Sequence, residues 1–541
     1  MLTSLTVSNF KRFGQEVSIE LGNPVVFIGP NDSGKTTALQ ALALWHIGLS
    51  RWNEKRSTKP RPEKRPGVAI NRRDLIAMPV PNARLLWRNL AVRARRSGEG
   101  EGTQNIRMDI LVKGVSRGQQ WDCGLEFDYA NEESIYCRPL RLEEGRNPER
   151  MPIPDEAGDA RIAFLPPMSG LSANETRLDP GAIAVRLGEG RTAEVLRNLC
   201  YQVLEGEIGG RKKWDDLRER IENLFGVTLN DPKYVPERGE IAMTYQDTLG
   251  TSLDLSCSGR GMQQVTLLLA YLAGHPNSVL LLDEPDAHLE VLRQRQIYQM
   301  LTETASAQGS QIIAASHSEV VLNEAAGRDV VIAFLGRPHR VDDRGSQLLK
   351  ALKHIGYEHY FQAEETGWVL YLEGSTDLAI LQSFARTLGH PASEYLEKPF
   401  VHYVENKPAK AYEHFYGLAE AKPDLVAYAV FDRLAQELED KPGLRQHMWC
   451  RREIENYLCT RTVLLRWAEH KAKSVQGELF VDKWQEAMEE AIKEVETAMQ
   501  TLGKGSPWSD TSKVSDEFLD PVFEKFFKTL DLPNLMVRIQ L

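Results

Sequence analysis

The feature that most constrains the fold of this chain is a glycine-rich segment near its N-terminus, residues 29–36 (GPNDSGKT). The segment matches the phosphate-loop pattern G-x-x-x-x-G-K-[ST]. It follows a short apolar run, residues 24–28, and precedes a stretch with helical periodicity, residues 36–44. A strand, a glycine-rich turn and a helix in this order bring backbone N–H groups and a helix N-terminus around phosphate oxygens. The sequence therefore predicts an α/β nucleotide-binding domain.

Side chains of this loop have separate predicted roles. Lys35 is expected to reach the β- and γ-phosphate oxygens, and the Thr36 hydroxyl is expected to bind Mg²⁺. Further contacts with the nucleotide are predicted for the loop positions Asn31, Ser33, Gly34 and Thr37. ATP and Mg²⁺ are thus the predicted cofactors of this domain.

A second motif lies at residues 279–285 (VLLLDEP), where an apolar strand ends in two carboxylates. Asp283 would complete the Mg²⁺ shell, and Glu284 would polarise the attacking water. The alternative is an acidic turn after a core strand. A helix at residues 291–305 and a strand at residues 311–315 are predicted to follow. The two motifs together indicate a P-loop NTPase.

Residues 255–264 (LSCSGRGMQQ) resemble the signature motif of ABC-type ATPases. In that family the serine and glycine, here Ser258 and Gly259, contact the γ-phosphate of a nucleotide bound to the opposite subunit. Asp286 then resembles the D-loop aspartate, and His317 resembles the catalytic switch histidine. The resemblance implies that two ATPase heads sandwich ATP, so that hydrolysis is coupled to closure of a homodimer or a higher homo-oligomer.

The stretch between the phosphate loop and the signature limits the choice of relatives. ABC transporter heads couple to membrane domains and SMC-like heads carry long coiled coils, whereas this chain has no heptad repeat there and many Pro and Gly residues. Residues 7–13 (VSNFKRF) instead resemble the start of RecF-like and OLD-family ATPases. We therefore predict an ABC-type ATPase head over residues 1–365, with an insertion at roughly residues 50–250. No Q-loop residue is identified, and residues 164–170 are its candidate region.

The remaining residues, 366–541, start with a predicted strand at residues 368–372 and a predicted helix at residues 377–388. Glu373 follows this strand at a glycine turn, and Asp377 comes one helical turn later. This E-G-x-x-D arrangement resembles the first motif of a Toprim domain, the metal-dependent fold of topoisomerases, primases and OLD nucleases. The resemblance implies a Toprim-like α/β domain.

A second apolar strand, residues 425–431, ends where Toprim domains place a D-x-D pair. Asp432 matches this pair, whereas Leu434 stands where the second aspartate is expected. Three interpretations stay open: a weaker second metal site, a shift of its ligands to Glu453 or Glu455, or a Toprim fold that binds without cutting.

Residues 451–458 (RREIENYL) resemble the acidic segment that follows this pair in OLD-like proteins, and Lys513 resembles a later lysine. The alternatives are a solvated helix face for Glu453 and Glu455 and an ordinary surface lysine at 513. Grouped carboxylates hold metal ions that stabilise the attacking and leaving oxygens at a phosphodiester. The resemblance implies Mg²⁺, with Mn²⁺ as the alternative, and makes Glu373 catalytic. The implied metal ligands are Glu373, Asp377, Asp432 and Glu455.

Both ends of the chain together resemble an OLD-family protein, in which an ABC-type ATPase precedes a C-terminal Toprim domain. The resemblance implies an ATP-controlled, Mg²⁺-dependent nuclease, often in bacterial anti-phage defence, that acts on DNA or RNA. Two alternatives remain open. One is an ATPase scaffold with an inactive Toprim domain that holds or releases a separately encoded effector protein. The other is a RecF-like DNA-repair ATPase.

Charge limits where nucleic acid would bind. The net charge of −10, from 66 basic and 76 acidic residues, argues against a surface that binds a polyanion as a whole. Residues 51–65 hold seven Lys or Arg against two Glu and are a predicted local contact; the alternative is a solvated loop. Trp52 and Trp87 lie among the basic residues of this region. The basic residues of the segment include Arg51, Lys55, Arg56 and Lys59.

The expected location follows from features that the sequence lacks. No run of about 18 apolar residues suits a bilayer span, and the N-terminus does not resemble a signal peptide. Six cysteines are scattered without a CxxC pair or a zinc-type spacing. We therefore expect a cytoplasmic protein with reduced thiols and no membrane partner.

Overall fold

The computed structural model describes residues 1–56, 66–75, 78, 80–95, 103–143, 148–172, 174–341 and 355–534. The chain divides into two compact units, Met1–Leu349 and Lys350–Leu541. Among the described residues, no helix combines the length and the apolar character that a membrane crossing requires.

The first unit is an α/β assembly around two six-stranded sheets. Its strands are β1 (Leu2–Ser8), β2 (Val17–Glu20), β3 (Val25–Ile28), β4 (Val68–Asn71), β5 (Arg93–Arg95), β6 (Thr103–Asn105), β7 (Met108–Ser116), β8 (Gln119–Asn131), β9 (Ser134–Pro139), β10 (Ile162–Leu165), β11 (Thr228–Leu229), β12 (Lys233–Val235), β13 (Glu240–Ala242), β14 (Thr244–Gln246), β15 (Ser252–Asp254), β16 (Val279–Asp283), β17 (Gln311–Ser316), β18 (Val330–Ala333) and β19 (His339–Arg340). Its α-helices are α1 (Lys35–Arg56), α2 (Asp155–Gly158), α3 (Pro180–Gly188), α4 (Leu196–Leu204), α5 (Gly210–Phe225), α6 (Arg260–Gly274), α7 (Val291–Ala307) and α8 (Glu319–Ala325).

One sheet of this unit is antiparallel, with the order β2-β1-β7-β8-β9-β4. In the register of β1, Leu5 pairs with Ile19 of β2 and with Val112 of β7, and all three side chains are buried. The segment predicted as an insertion, roughly residues 50–250, lies in the same compact unit as the phosphate loop. It supplies four strands, β4, β7, β8 and β9, to the sheet that the N-terminus begins.

The other sheet has the order β10-β16-β17-β3-β18-β19 and is parallel from β10 to β18. Every residue of β3, β16 and β17 is buried, as expected for strands covered on both faces. The strands predicted around 279–282 and 311–315 are thereby confirmed. The carboxyl ends of β3, β16 and β17 lie at one edge of the sheet, which is where open α/β sheets bind ligands. Helix α1 packs against strands of both sheets.

The second unit has a four-stranded sheet with the order β21-β20-β22-β23, and each neighbouring pair is parallel. The strands are β20 (Trp368–Leu372), β21 (Val401–Tyr403), β22 (Val426–Phe431) and β23 (Leu444–Met448). The α-helices are α9 (Tyr357–Thr366), α10 (Ser375–Thr387), α11 (Ala392–Glu397), α12 (Pro408–Ala421), α13 (Arg461–Val475), α14 (Val481–Thr501) and α15 (Asp520–Thr529). Helices α13, α14 and α15 pack together around a core that includes Trp484 and Phe526.

The boundary between the units lies earlier than the predicted position near residue 365. That position falls inside α9, which belongs to the second unit. Helix α9 contacts α12 and β20, and its Ala363 is fully buried. Sequence periodicity did not separate α9 from the preceding domain, because which unit covers its apolar side depends on tertiary packing.

Candidate functional site

The loop between β3 and α1 has a backbone that only glycine accommodates at its first position. Gly29 adopts a φ of 147°, and a Cβ built there would lie 2.9 Å from the carbonyl oxygen of Phe334. Gly34 also has a positive φ, 109°. The loop therefore keeps the tight path that aims backbone N–H groups inward, as in phosphate-binding loops.

Lys35 is the buried cation of this loop. Its Nζ donates to the carbonyl oxygens of Gly29 at 2.7 Å and Pro30 at 2.8 Å. Burial lowers the pKa of Lys35, and nearby carboxylates, including Asp283, oppose that shift. The Ser33 hydroxyl oxygen is buried with no hydrogen-bond partner among the described residues. A buried ammonium beside an unpartnered hydroxyl fits the oxygens of a bound phosphate.

A hydroxyl and a carboxylate meet beside this loop. The Thr36 hydroxyl donates to Oδ1 of Asp283 at 3.1 Å, which joins the start of α1 to the end of β16. Asp283 is 5% exposed, and burial raises its pKa to about 6, against the effect of the Thr36 hydrogen bond. Oxygen ligands of these types suit Mg²⁺. The two residues predicted to hold Mg²⁺ are therefore in contact.

Glu284 and His317 face each other at the ends of two neighbouring strands. Glu284 follows β16 with a positive φ of 50°, and its backbone N–H donates to the carbonyl of Ala315 at 2.8 Å. Its Oε1 lies 3.5 Å from Nδ1 of His317, which follows β17. The side chains are 34% and 49% exposed respectively, so both reach solvent. This arrangement suits a carboxylate that takes a proton from water and a histidine that orients the same water.

Asp286 is more buried than Glu284. It is 6% exposed, and burial raises its pKa while a hydrogen bond with Ser316 opposes the shift. Its Oδ1 has no hydrogen-bond partner in the described part of the chain. The candidate Q-loop region begins within β10, whose Leu165 pairs with Leu282 of β16, so it leaves the sheet at the same edge.

The signature segment, residues 255–264, includes the residues just before α6 and the first turn of that helix. The Ser258 hydroxyl donates to the carbonyl of Leu255 at 2.7 Å, and Gln263 Nε2 donates to the carbonyl of Ser258 at 2.9 Å. Gly259 precedes the first residue of α6 and is exposed, and Ser258 is half-buried. Their contact with a nucleotide on an opposite subunit stays a prediction.

In the second unit, acidic residues from separate segments converge at one edge of the sheet. Glu373 follows β20 and Asp432 follows β22, and these strands are adjacent and parallel. Burial raises the pKa of Asp432 to about 8, and the charge of Glu373 and a hydrogen bond with it add to this shift. Asp377 accepts a hydrogen bond from the backbone N–H of Gly374 at 3.0 Å. Its pKa is raised by burial and then by Glu373.

Two further glutamates belong to this group. Burial raises the pKa of Glu455 to about 7, and Glu453, Asp377 and Glu373 add to the shift. Glu453 is 3% exposed, which excludes the interpretation of this residue as part of a solvated helix face. We call the five residues the acidic cluster: Glu373, Asp377, Asp432, Glu453 and Glu455.

Neighbours of the acidic cluster were predicted only in part. Lys513 is exposed and pairs with Asp516 at 2.6 Å, and its pKa is raised first by that hydrogen bond and more weakly by Glu453 and Glu373. Leu434 is half-buried, and its backbone N–H donates to the sulfur of Met448 at 3.0 Å. The Asn406 side chain, which no motif indicates, accepts a hydrogen bond from the backbone of Asp432 at 3.0 Å.

The basic segment predicted to contact nucleic acid is partly built into the fold. Residues 51–56 are the last residues of α1, and residues 57–65, including Lys59, lie outside the described residues. Arg51 pairs with Glu54 at 3.0 Å and with Asp74 at 2.9 Å. Trp52 and Trp87 are each 1% exposed. The two tryptophans are therefore core residues, and any contact with nucleic acid would come from the basic side chains alone.

Two family models match parts of the first unit. Residues 198–323 match the model described as "AAA domain, putative AbiEii toxin, Type IV TA system", and residues 1–46 match the model described as "AAA ATPase domain". Neither match extends into the second unit. No curated protein matches the chain.

Solved SMC head domains are similar to this chain at low identity. The SMC head domain from Thermotoga maritima has 14% identity and a TM-score of 0.33, with 61% of this chain and 94% of that chain covered. The SmcHead bound to the C-winged helix domain of ScpA has 15% identity and a TM-score of 0.36, with 61% and 94% covered. The Smc head domain with an extended coiled coil, bound to the C-terminal domain of ScpA and derived from Pyrococcus furiosus, has 14% identity and a TM-score of 0.36, with 65% and 98% covered.

The matched segments contain the motifs whose geometry is described above. Residues 1–46 include the phosphate loop, and residues 198–323 include the signature segment, Asp283, Glu284 and His317. The buried lysine, the contact between Thr36 and Asp283 and these matches agree on one chemistry. The first unit is a P-loop ATPase domain that uses ATP and Mg²⁺.

Proposed function

We propose that this chain is an ABC-type ATPase of the OLD kind, whose ATP cycle controls a Mg²⁺-dependent nuclease in its second unit. The proposed substrate is nucleic acid, and DNA is favoured over RNA. The proposed role is anti-phage defence in the bacterial cytoplasm. The observation that carries the nuclease is the acidic cluster, in which carboxylates from separate segments meet at one edge of a parallel sheet.

The ATPase part of the proposal assigns one task to each polar residue at the edge of the parallel sheet. Lys35 would bind the β- and γ-phosphates, while Thr36 and Asp283 would hold Mg²⁺. Glu284 would take a proton from the attacking water, and His317, 3.5 Å away, would orient it. Ser258 and Gly259 of a second copy would complete the site. ATP would therefore be hydrolysed only when two chains are associated.

The nuclease part rests on the electrostatics of the acidic cluster. Burial raises the pKa values of Asp432 and Glu455, and the charges of neighbouring carboxylates add to that shift, so their charged forms are disfavoured unless a cation joins them. Mg²⁺, or Mn²⁺ in its place, would remove that repulsion through Glu373, Asp377, Asp432 and Glu455. The bound metal would supply Lewis-acid chemistry to a phosphodiester. The side chains would position the metal.

The leucine at position 434 has a compensating neighbour in this proposal. Glu455 is partly buried and interacts with Glu373 and Asp377, so it would supply the carboxylate that the D-x-D pair lacks. If Glu455 does not take this role, the second unit would bind without cutting. The chain would then be an ATPase scaffold that holds or releases an effector, or a RecF-like repair ATPase.

A plasmid-nicking assay with Mg²⁺ or Mn²⁺ tests the proposal. We expect the wild-type chain to nick supercoiled DNA, and the isosteric change Glu373→Gln to lower the rate by about 10²-fold or more. Glu397→Gln is the matched control, because Glu397 is exposed and ends helix α11 of the same unit. A structured RNA in parallel reactions decides between the two substrates.

Two results would overturn the nuclease. If cleavage survives Glu373→Gln, the acidic cluster is not the nuclease site. A wild-type chain that hydrolyses ATP and cuts neither DNA nor RNA would favour the scaffold or the repair ATPase.

A further inference from the structure

Three histidines from separate elements of the second unit meet in one place. His359 lies on α9, His402 on β21 and His414 on α12. Each offers a ring nitrogen, and these three nitrogens all lie within 4.8 Å of one another. Among the described residues, this is the one group of three or more such side chains that meets this spacing, and the acidic cluster does not. We call it the histidine triad.

The sheet and two helices position this triad. Tyr371 of β20 pairs with His402 of β21 in the parallel register, so the two side chains leave the same face of the sheet. Helices α9 and α12 bring the other two rings to that face. Tyr371 is fully buried and His414 is 6% exposed. The Phe400 ring lies 5.7 Å from that of His359 and gives the triad an apolar wall.

The ring of His414 is held in a defined orientation. Its Nδ1 lies 2.8 Å from the Tyr371 hydroxyl, and its Nε2 lies 2.8 Å from Nδ1 of His359. A tyrosine at Nδ1 leaves Nε2 aimed at the centre of the triad. Metal-binding histidines are oriented in this way, by a hydrogen bond at the nitrogen that does not bind the metal.

Two imidazoles of the triad, those of His402 and His414, have lowered pKa values. Burial lowers the pKa of His402 to about 4, and the neighbouring His359 and Lys410 lower it further. Burial also lowers the pKa of His414 to about 2, with contributions from His402 and His359. Neutral imidazoles present lone pairs, and neutral imidazole is the form that binds zinc.

A hydrogen bond explains only part of this arrangement. One shared proton accounts for the 2.8 Å contact between His359 and His414. It does not account for His402, whose ring stacks on that of His414 with centroids 3.8 Å apart and planes 6° from parallel. Ring stacking accounts for the position of His402, and the close spacing of the three ring nitrogens is the observation that points to a shared cation. Because two parallel ring planes cannot contain the same ion, the His402 ring tilts out of this stack when an ion binds.

We propose that His359, His402 and His414 bind one Zn²⁺ ion, with Tyr371 as the residue that positions His414. Three imidazoles with a fourth position open to water form a known class of tetrahedral zinc site. Zn–N bonds of about 2.0–2.1 Å place two ligand nitrogens about 3.3 Å apart in a tetrahedron. The 2.8 Å contact between His359 and His414 therefore opens by a small ring rotation when zinc enters.

The proposed site is separate from the acidic cluster in chemistry and in function. Imidazole nitrogens favour zinc and related transition metals, whereas carboxylates favour Mg²⁺. The zinc would tie α9 and α12 to β21, so it would stabilise the unit that carries the acidic cluster. The proposal does not depend on nuclease activity.

Metal analysis of the full chain tests the site. The protein is stripped with EDTA, desalted, incubated with Zn²⁺ without nucleotide, desalted again and assayed for zinc by elemental mass spectrometry. We expect one zinc per chain in the wild type and its loss in His402→Gln and His359→Gln. Two variants serve as controls and should keep the zinc: His470→Gln, at an exposed histidine on α13, and Glu373→Gln, in the acidic cluster.

The absorption of bound Co²⁺ gives a second readout, which the wild-type chain alone can supply. Co²⁺ in a four-coordinate site with three imidazoles absorbs visible light far more strongly than Co²⁺ bound by carboxylates and water. We expect this absorption in the wild-type chain, together with a zinc-dependent rise in Tm that His402→Gln loses and His470→Gln retains. A wild-type chain that retains no zinc and gives no such absorption, or zinc that persists in both triad variants, would overturn the proposal.

Discussion

Two neighbouring carboxylates at the end of β16 show how backbone position divides chemical roles. Asp283 is the last residue of the strand and is 5% exposed, and its carboxylate accepts a hydrogen bond from the Thr36 hydroxyl. The positive φ of Glu284 turns the chain, and its side chain reaches solvent, 34% exposed, beside His317. A buried carboxylate suits metal binding, and a solvent-facing one suits water activation. One residue step thus separates the two proposed functions.

We therefore predict that Glu284→Gln removes ATP turnover and retains ATP binding. The amide keeps the shape of the side chain but has no basic oxygen to take a proton, and loss of a general base costs about 10²–10⁴-fold in rate. Steady-state phosphate release measures turnover, and a fluorescent ATP analogue measures binding. Glu303→Gln, at an exposed position on α7, is the control. Unchanged phosphate release in Glu284→Gln would contradict the role of this residue.

At the level of elements, the sequence predicts best those features whose residues are contiguous in the chain. The strand, loop and helix of the phosphate site are contiguous, so periodicity and glycine spacing were sufficient to place Lys35 and Thr36. Strand pairing is not local. The pairing of β1 with β7 joins Leu5 to Val112, and the alternation of apolar residues alone does not specify that partner. For this reason the sequence predicted an insertion within the ATPase head but not which of its strands pair with β1.

In the second unit too, the sequence predicts side chains that belong to a local motif and misses those that only packing brings together. Glu373, Asp377 and Asp432 were predicted because each follows or begins a recognisable element at a spacing that a family shares. The histidine triad was not predicted, because His359, His402 and His414 lie on three elements with no motif between them. Only the packing of α9 and α12 on the sheet brings them together.

Helix α1 gives a prediction at this scale. Trp52 lies among basic residues in the sequence but is 1% exposed near the end of α1. Replacing a buried tryptophan with alanine removes apolar contacts and leaves a cavity, which costs about 3–5 kcal/mol. We expect Trp52→Ala to lower the free energy of unfolding in urea by this amount.

The same series separates packing from nucleic-acid contact. Lys55→Ala, at an exposed position of α1, should change the free energy of unfolding by less than about 0.5 kcal/mol. DNA affinity of natively folded Trp52→Ala should equal that of the wild type. Normal stability with weaker DNA binding in Trp52→Ala would mean that Trp52 contacts DNA and would contradict the core assignment.

For the whole molecule, the resemblance of residues 255–264 to the ABC signature predicts a second copy of the chain as partner. Gly259 is exposed and Ser258 is half-buried at the start of α6, where unpaired N–H groups of the helix favour an anion. If two identical heads share ATP, each phosphate loop meets the signature of the other copy, and the interface has twofold symmetry. ATP would then favour the dimer because it binds the closed state better than the separate chains.

Ser258→Arg tests this arrangement in a chain that also carries Glu284→Gln, so that ATP is bound and not consumed. The arginine side chain would occupy the space of the γ-phosphate contact, whereas the phosphate loop of each chain stays intact. We expect ATP to double the molar mass of the Glu284→Gln chain in light scattering, and to leave the mass of the double variant unchanged while it still binds ATP. Ser306→Arg, at an exposed position on α7, should dimerise normally. An ATP-dependent dimer that survives Ser258→Arg would mean that the heads associate through another surface, because an isologous contact through the signature carries the substitution twice.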